Sequence, residues 1–315
     1  MISVVMPVYN GEAFIARAVQ SVLDQTSPRW EIVAVDDGSR DGTRAILEQF
    51  AARDPRIRVL HQENAGVSAA RNAAMAAARG EYLAFLDADD WWYPDHLTTL
   101  EQMIRIYPKA GLLGTACDIR FHDGRTGNTA GFFEGKPKTL YLENFLEAYR
   151  ADKRAKCFAL SSTCVRADMA RQAGGFRVGC RIGEDLGLTL RIAAAAPAVL
   201  CARRTVLYNK AQSTATRVQS FDPDWYFFEE ARALAEDPAL TPERRASLAR
   251  VMAWFEVRRV RHYLIDGRRR EAWAAFCRRD ADPGMAGDWL LTGLLFLLPC
   301  ALVRRIFLFR WRNKA

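Results

Sequence analysis

Short apolar runs alternate with longer segments of helical period along the first hundred residues. Ile2-Ser3-Val4-Val5-Met6-Pro7 reads as a buried strand, and Val8-Tyr9-Asn10-Gly11 carries turn chemistry. Over 12–25, Phe14, Ile15, Ala18, Val19, Val22 and Leu23 fall on one helical face. The alternation repeats with a strand over 31–35, a helix to about residue 52, a strand over 57–60, and an Ala-rich helix from Gly66 through Arg79. A fourth apolar run, 82–86, follows the helix-stopping Gly80. Strands alternating with helices across short loops predict a doubly wound, mainly parallel α/β sheet with right-handed crossovers.

Three of these strands end in polar clusters: Pro7-Val8-Tyr9-Asn10, Asp36-Asp37-Gly38-Ser39 and Asp87-Ala88-Asp89-Asp90. In a parallel sheet such loops share the carboxyl edge, so the clusters converge on one crevice. Three Asp within four residues put hard oxygen ligands there, and their mutual repulsion calls for a counter-charge. A divalent cation bridging carboxylate and phosphate oxygens is the simplest one. Such a cluster also suits a helix N-cap, with Pro94 in the first turn, but convergence of three loops favours a ligand. Asp36 is read as structural, its carboxylate holding turn amides. Neither Gly-x-Gly-x-x-Gly nor Gly-Lys-Ser/Thr is present, so dinucleotide and P-loop readings lose their phosphate cradle.

Residues 108–166 predict a strand over 111–116, a hairpin turn at Asp123-Gly124-Arg125-Thr126-Gly127 and another strand over 158–165. Gly183-Glu184-Asp185 opens an amphipathic helix, where acids favour the N-terminus. Beside an acidic sheet edge, a carboxylate is also what chemistry needs to take a proton from an attacking hydroxyl. Strand patterns at 198–201 and 206–208 follow.

Beyond residue 220 the chain changes character. Ala/Arg-rich helix patterns at 222–236 and 242–279 are broken by Asp237-Pro238, Asp266-Gly267 and Asp282-Pro283-Gly284. Residues 289–303 are uncharged and mostly apolar, and Arg304-Arg305 begins a basic end. That run, containing Gly293 and Pro299, falls short of the roughly 20 residues needed to span a bilayer.

Charge sharpens this division. Residues 241–315 hold 16 of the 45 Lys and Arg but only 7 of the 37 Asp and Glu, so the +8 of the whole chain belongs to this end. An apolar run flanked by Arg and Trp suits the interface of an anionic leaflet, and a helical hairpin packed on protein is the alternative. The Arg clusters lack an aromatic-interleaved module, which argues against nucleic acid. Seven Cys without a CxxC pair and four separated His argue against zinc and for a reducing compartment. Met1 leads directly into a strand pattern, from which a cytoplasmic start is expected.

The motifs Val4-Val5-Met6-Pro7-Val8-Tyr9-Asn10, Val35-Asp36-Asp37-Gly38-Ser39-Arg40-Asp41-Gly42-Thr43, Asn64-Ala65-Gly66-Val67-Ser68-Ala69-Ala70-Arg71-Asn72 and Asp87-Ala88-Asp89-Asp90 stand in this order. Together they closely resemble family 2 glycosyltransferases of the GT-A fold, of the type that builds bacterial surface polysaccharide. Gly183-Glu184-Asp185 extends the resemblance to about residue 210. The resemblance implies inverting transfer of a sugar from a nucleotide-sugar donor, with Mg2+ or Mn2+ held by Asp87 and Asp89. It implies a donor site of Pro7, Tyr9, Asn10, Glu12, Asp37, Arg71, Asp87, Ala88 and Asp89. Asp185 matches the catalytic base, with Glu184 and Trp91 on the acceptor side. Asp37 matches the carboxylate that reads a base imide, which leans the donor towards UDP or dTDP over GDP. The expected organisation is a GT-A domain over 1–220, its donor half 1–107 and acceptor half 108–220. A helical C-terminal extension over 221–315 follows, with an interfacial segment at 289–311. The expected acceptor is a lipid-linked or growing surface glycan at the cytoplasmic membrane face, and homo-oligomerisation is left open. A nucleotide-sugar-binding membrane scaffold without turnover is the alternative.

Overall fold

The computed structural model describes residues 1–151, 159–180, 183–211, 227–278 and 285–312. The chain divides into two compact units, Met1–Val218 and Gln219–Ala315.

The first unit begins with β1 (Ile2–Val8), α1 (Ile15–Leu23), β2 (Trp30–Asp36), α2 (Thr43–Arg53), β3 (Ile57–His61), α3 (Val67–Ala77) and β4 (Tyr82–Phe85). Every residue of β1 and β2 is buried, which is why these strands read as continuous apolar runs instead of alternating ones. α1 supplies one covering face through Ile15, Ala18, Val19 and Val22. There follow β5 (Trp91–Trp92), α4 (His96–Ile106), β6 (Leu112–Arg120), β7 (Thr126–Asn128), β8 (Thr139–Leu142) and α5 (Phe145–Ala151). The unit closes with β9 (Thr163–Arg166), α6 (Ala167–Gln172), α7 (Glu184–Ala195) and β10 (Ala198–Asn209).

These strands form one sheet of order β3-β2-β1-β4-β9-β6-β10-β5, with β7 on β6 and β8 on β10. The β3-β2-β1-β4 part is parallel throughout, as the alternation of strand and helix requires. The expectation of a mainly parallel sheet fails beyond β4. β9 runs antiparallel to both β4 and β6, and β5, β7 and β8 also pair antiparallel, so the whole sheet is mixed. The reason lies in where the chain enters. The 3-10 turn Leu160–Ser162 is fixed at the carboxyl edge by Ser161, which bonds Asp87 and Asp90, so the strand leaving it must run back towards the amino edge. That turn also replaces the first part of the strand expected over 158–165, whose Phe158 lies outside the described residues. The two strand patterns at 198–201 and 206–208 are one strand, β10, interrupted by irregular register around Arg204.

In the second unit, α8 (Phe227–Glu236), α9 (Pro242–Ile265), α10 (Arg269–Cys277), α11 (Ala286–Leu295) and α12 (Cys300–Arg312) are helices. Thr241 caps α9, its Oγ1 accepting the Arg244 amide at 3.3 Å, with Pro242 in the first turn. Val257, Val260 and Leu264 of α9 share a core with Ala272, Ala275, Trp289, Leu295 and Val303. Among the described residues no helix is long and apolar enough to cross a membrane.

Candidate active site

At the carboxyl edge of β1 and β2 the two following loops are stitched together. The Asn10 amide donates to Ser39 Oγ at 2.9 Å, and Asn10 Oδ1 accepts the Arg40 amide at 2.8 Å. The Gly11 amide donates to Thr43 Oγ1, the Glu12 amide to Asp41, and Glu12 Oε2 accepts the Gly42 amide. Asn10 Oδ1 and one Glu12 carboxylate oxygen are therefore engaged by the framework. Asn10 sits at φ 50°, a left-handed conformation that Asn tolerates. Pro7 is buried within β1 opposite Val35, whereas Tyr9 stands 48% exposed at the lip.

Asp36 holds its turn as expected: Oδ1 accepts the Ser39 amide at 3.0 Å and Oδ2 faces His61 Nδ1 at 3.3 Å. Asp37, also buried, accepts from Gln62 Nε2 at 2.6 Å and from the Ala65 and Gly66 amides at 2.9 Å each. One carboxylate thus pins the segment that opens α3. Gly66 meets that demand at φ 89°, a conformation L side chains avoid.

α3 then delivers Arg71 into the interior. Only 4% exposed, Arg71 donates through Nη2 to Asp87 Oδ1 at 2.7 Å and through Nη1 to Glu184 Oε1 at 2.9 Å. The guanidinium lies 5.2 Å from the centre of the Phe176 ring. Phe176 in turn packs edge-on against Phe85, and its backbone is clamped by Asn72, whose Oδ1 accepts the Phe176 amide and whose Nδ2 donates to the Phe176 carbonyl. The expected nucleotide-side arginine is therefore a link between the β4 loop and the start of α7, with its Nε–H left unpartnered among the described residues.

Around this link the carboxylates are strained electrostatically. Burial, followed by the neighbouring Asp87, pushes Asp89 up to about 6. Burial, then Glu184, pushes Asp185 up to about 6 against the opposing pull of Arg71. The Leu186 amide donates to Asp185 Oδ1 at 2.7 Å, holding that oxygen at the helix start. Asp90 is buried and raised well above the usual carboxylate range, first by burial and then by Asp87 and Asp89. It accepts from Ser161 Oγ at 2.6 Å and from the Asn209 amide at 2.7 Å, fixing the end of β10. Trp91 does not offer a free ring: it is buried, with the Arg17 guanidinium 3.3 Å over its face.

The glycosyl transferase family 2 model matches residues 3–162. The chain belongs to that family. It is 50% identical over 98 residues to TuaG of Bacillus subtilis (strain 168), a glycosyltransferase named for teichuronic acid biosynthesis, covering 31% of this chain and 39% of the relative. It is 38% identical over 151 residues to EpsH of the same organism, named as a glycosyltransferase, covering 46% of this chain and 43% of the relative. The matches thus span less than half the length of these curated relatives. In fold it is similar to S. aureus TarS 1–349 crystallised with UDP-GlcNAc, at TM-score 0.67 and 21% identity over 83% of this chain and 72% of TarS. It is similar also to the mannosyltransferase PcManGT of Pyrobaculum calidifontis, in complex with GDP-Man and Mn2+, at TM-score 0.58 and 18% identity over 96% of this chain and 83% of the other.

Family membership raises the question of a divalent cation. Among the described residues no three His, Cys, Asp or Glu converge as a metal cage. Asp87 and Asp89 nevertheless fit one: they are hard oxygen donors close enough to repel, and burial followed by that repulsion raises Asp89 to about 6. Two carboxylates that leave the rest of the shell to phosphate oxygens and water are an ordinary way to hold Mg2+.

The family 2 site also contains groups that sequence reasoning passed over. Tyr208 of β10 is pushed well up by burial and then by the charges of Asp90, Asp87, Asp185 and Asp89. Ser161 and Gln62 hold Asp90 and Asp37 respectively. None of the three stands in a recognisable pattern; Ser161 meets Asp90 from the turn before β9, and the Asn209 amide at the end of β10 meets it from the other side.

Proposed function

We propose that the chain transfers a sugar, with inversion and with a divalent cation, from a nucleoside-diphosphate sugar to a hydroxyl of a lipid-linked or growing surface glycan. UDP or dTDP is favoured over GDP. The observation that carries this reading is the Arg71 link, which ties the Asp87 loop to the Glu184-Asp185 turn. A nucleotide-binding edge and a base candidate are thereby held at one place.

Asp185, raised to about 6, is ionised near neutrality yet basic enough to take a proton. The acceptor oxygen bonds to the anomeric carbon as the carbon–oxygen bond to the diphosphate breaks. The hydroxyl proton passes to Asp185, and the electron pair leaves with the nucleoside diphosphate. A single displacement from the opposite face inverts the centre. A cation on Asp87 and Asp89, Mg2+ or Mn2+, supplies neutralisation of the departing diphosphate. Tyr9 offers an exposed flat ring to the base. Asp37, with three of its roughly four acceptor positions already used, keeps one for an imide N–H. TarS bound to UDP-GlcNAc and PcManGT bound to GDP-Man and Mn2+ support this donor class, and TuaG supports a surface-polysaccharide product. The reading sets the protein peripherally on the cytoplasmic membrane face.

The test is thermal unfolding against UDP, dTDP, GDP and CMP, each with Mn2+, Mg2+ or chelator, because a ligand of the folded state raises Tm by mass action. Metal-dependent stabilisation by one nucleoside diphosphate, lost in Asp89→Ala, supports the reading. A folded sample that responds to none of them refutes the donor site, and a donor-binding protein that forms no product with membrane acceptors is the scaffold.

A further inference from the structure

The second unit carries a helix whose outward face is the wrong polarity for water. Trp289, Thr292 and Leu295 of α11 turn inward. The positions between them, Leu290, Leu291 and Leu294, are 69%, 45% and 51% exposed, and Leu297 in the turn beyond is 78% exposed. A surface helix ordinarily presents charged or polar residues on that side. Here the inner face holds the polar Thr292, which with half-exposed Asp288 bonds Arg261, while Leu290, Leu291 and Leu294 face outward.

Positive charge is built in at the same end. The Arg269 side chain donates to the carbonyls of Phe296 and Leu298, so its guanidinium is fastened on either side of the most exposed leucine. On α12, Leu302 is 43% exposed, and Arg304 and Arg305 are exposed within the next turn, with no acid partner among the described residues. Trp273, 56% exposed, stands edge-on to Phe296 at 5.3 Å.

We infer that the leucine face of α11 and the following turn, with Arg269 fastened beside it and Arg304 and Arg305 exposed on α12, seats on an anionic bilayer surface without crossing it. Apolar side chains enter the headgroup boundary while the arginines meet lipid phosphates, the pattern of an interfacial helix with a tryptophan at its margin. A second copy of the chain is a poorer occupant. Packing two such faces together would bring the two Arg269 guanidinium groups into one interface, and like charges there oppose closure. The inference concerns the second unit alone and does not depend on the donor chemistry above.

The test is flotation of the full-length protein with vesicles of phosphatidylcholine, alone or mixed with phosphatidylglycerol, without nucleotide or acceptor. The wild type is expected to float only with the anionic vesicles. Leu294→Ser with Leu297→Ser is expected to weaken binding about tenfold. Arg304→Gln with Arg305→Gln is expected to cost about fivefold per removed cation and to flatten the salt dependence. All four positions are exposed, and unchanged Tm confirms that the variants fold. Equal binding to neutral vesicles, or no binding to either, overturns the inference. So does a dimer in sedimentation that Leu294→Ser and Leu297→Ser dissolve.

Discussion

His96 gives the first unit a defined response to acid. It opens α4, is 0% exposed, and packs 4.3 Å from the Trp92 ring. Thr205 Oγ1 lies 2.7 Å from Nδ1 and 2.8 Å from Thr115 Oγ1. With Thr205 giving its hydrogen to Thr115, Nδ1–H is the donor, and the neutral ring satisfies the chain. Nε2 has no partner among the described residues, so a proton placed there would be a buried charge without an acceptor. Burial accordingly lowers the group from 6.5 to about 3. Between those values the unfolded chain binds the proton and the folded chain does not. The stabilisation is complete above 6.5 and drains away as pH falls towards about 3. Linkage gives a loss of about 2 kcal/mol between about pH 8 and about pH 5. Asp89 and Asp185, both raised to about 6, act in the other direction: they hold protons in the folded state and lose stabilisation as pH rises through about 6. The measurement is therefore a difference. Urea unfolding of wild type and His96→Phe at both pH values should show the wild type losing about 2 kcal/mol more. Parallel curves, or a His96 ring proton that titrates in NMR near its ordinary value, would refute the reasoning.

The remaining predictions concern the site and its support. Asp185→Asn should lower turnover about a hundred- to ten-thousandfold while nucleoside diphosphate still raises Tm. In the wild type kcat/KM should fall tenfold per pH unit below about 6, since the base must be ionised, and a flat acid limb would remove Asp185 from that role. Arg71→Met leaves Asp87 and Glu184 facing each other without their cation, and should cost about 3–5 kcal/mol in urea unfolding; a loss under about 1 kcal/mol would make the link decorative. Gly175→Ala forces a Cβ to 2.5 Å from Asn72 Oδ1 at φ 69°, and should destabilise by about 1–3 kcal/mol, read as a lower urea midpoint.

Much of the parallel half of the first unit was legible because β1 and β2 are buried on both faces, so each strand writes its position as an unbroken apolar run. The polar clusters at Asp36–Asp37 and Asp87–Asp90 were equally visible, since charge at a strand end contrasts with what precedes it. What the chain did not disclose were partners separated by long stretches of sequence. Nothing around Ser161 announces that it will hold Asp90, and Trp91–Trp92 is too short to read as a strand until β10 lies beside it. Asn10 and Glu12 stood out as donor-side residues from their loop alone; their bonds to the neighbouring loop appear only when β1 and β2 are paired. Arg71 on an Ala-rich helix could have pointed to solvent, and its burial depends on Glu184 far downstream.

That distance has a consequence for how the first unit comes into being. Arg71 and Glu184 are 113 residues apart, and β4 obtains its outer neighbour only from Thr163–Arg166. The strands β3-β2-β1-β4 can assemble from local crossovers as the chain emerges, but closing the longer loop is entropically costlier and slower. Until then β4 presents an open edge, an invitation to pair with another chain. A chain cut near residue 160, where the family match ends, would keep the loops after β1, β2 and β4 and expose that edge, and it should aggregate. The carboxylate cluster that Arg71 and Glu184 close is thus expected to form late, with the nascent chain most vulnerable just before it does.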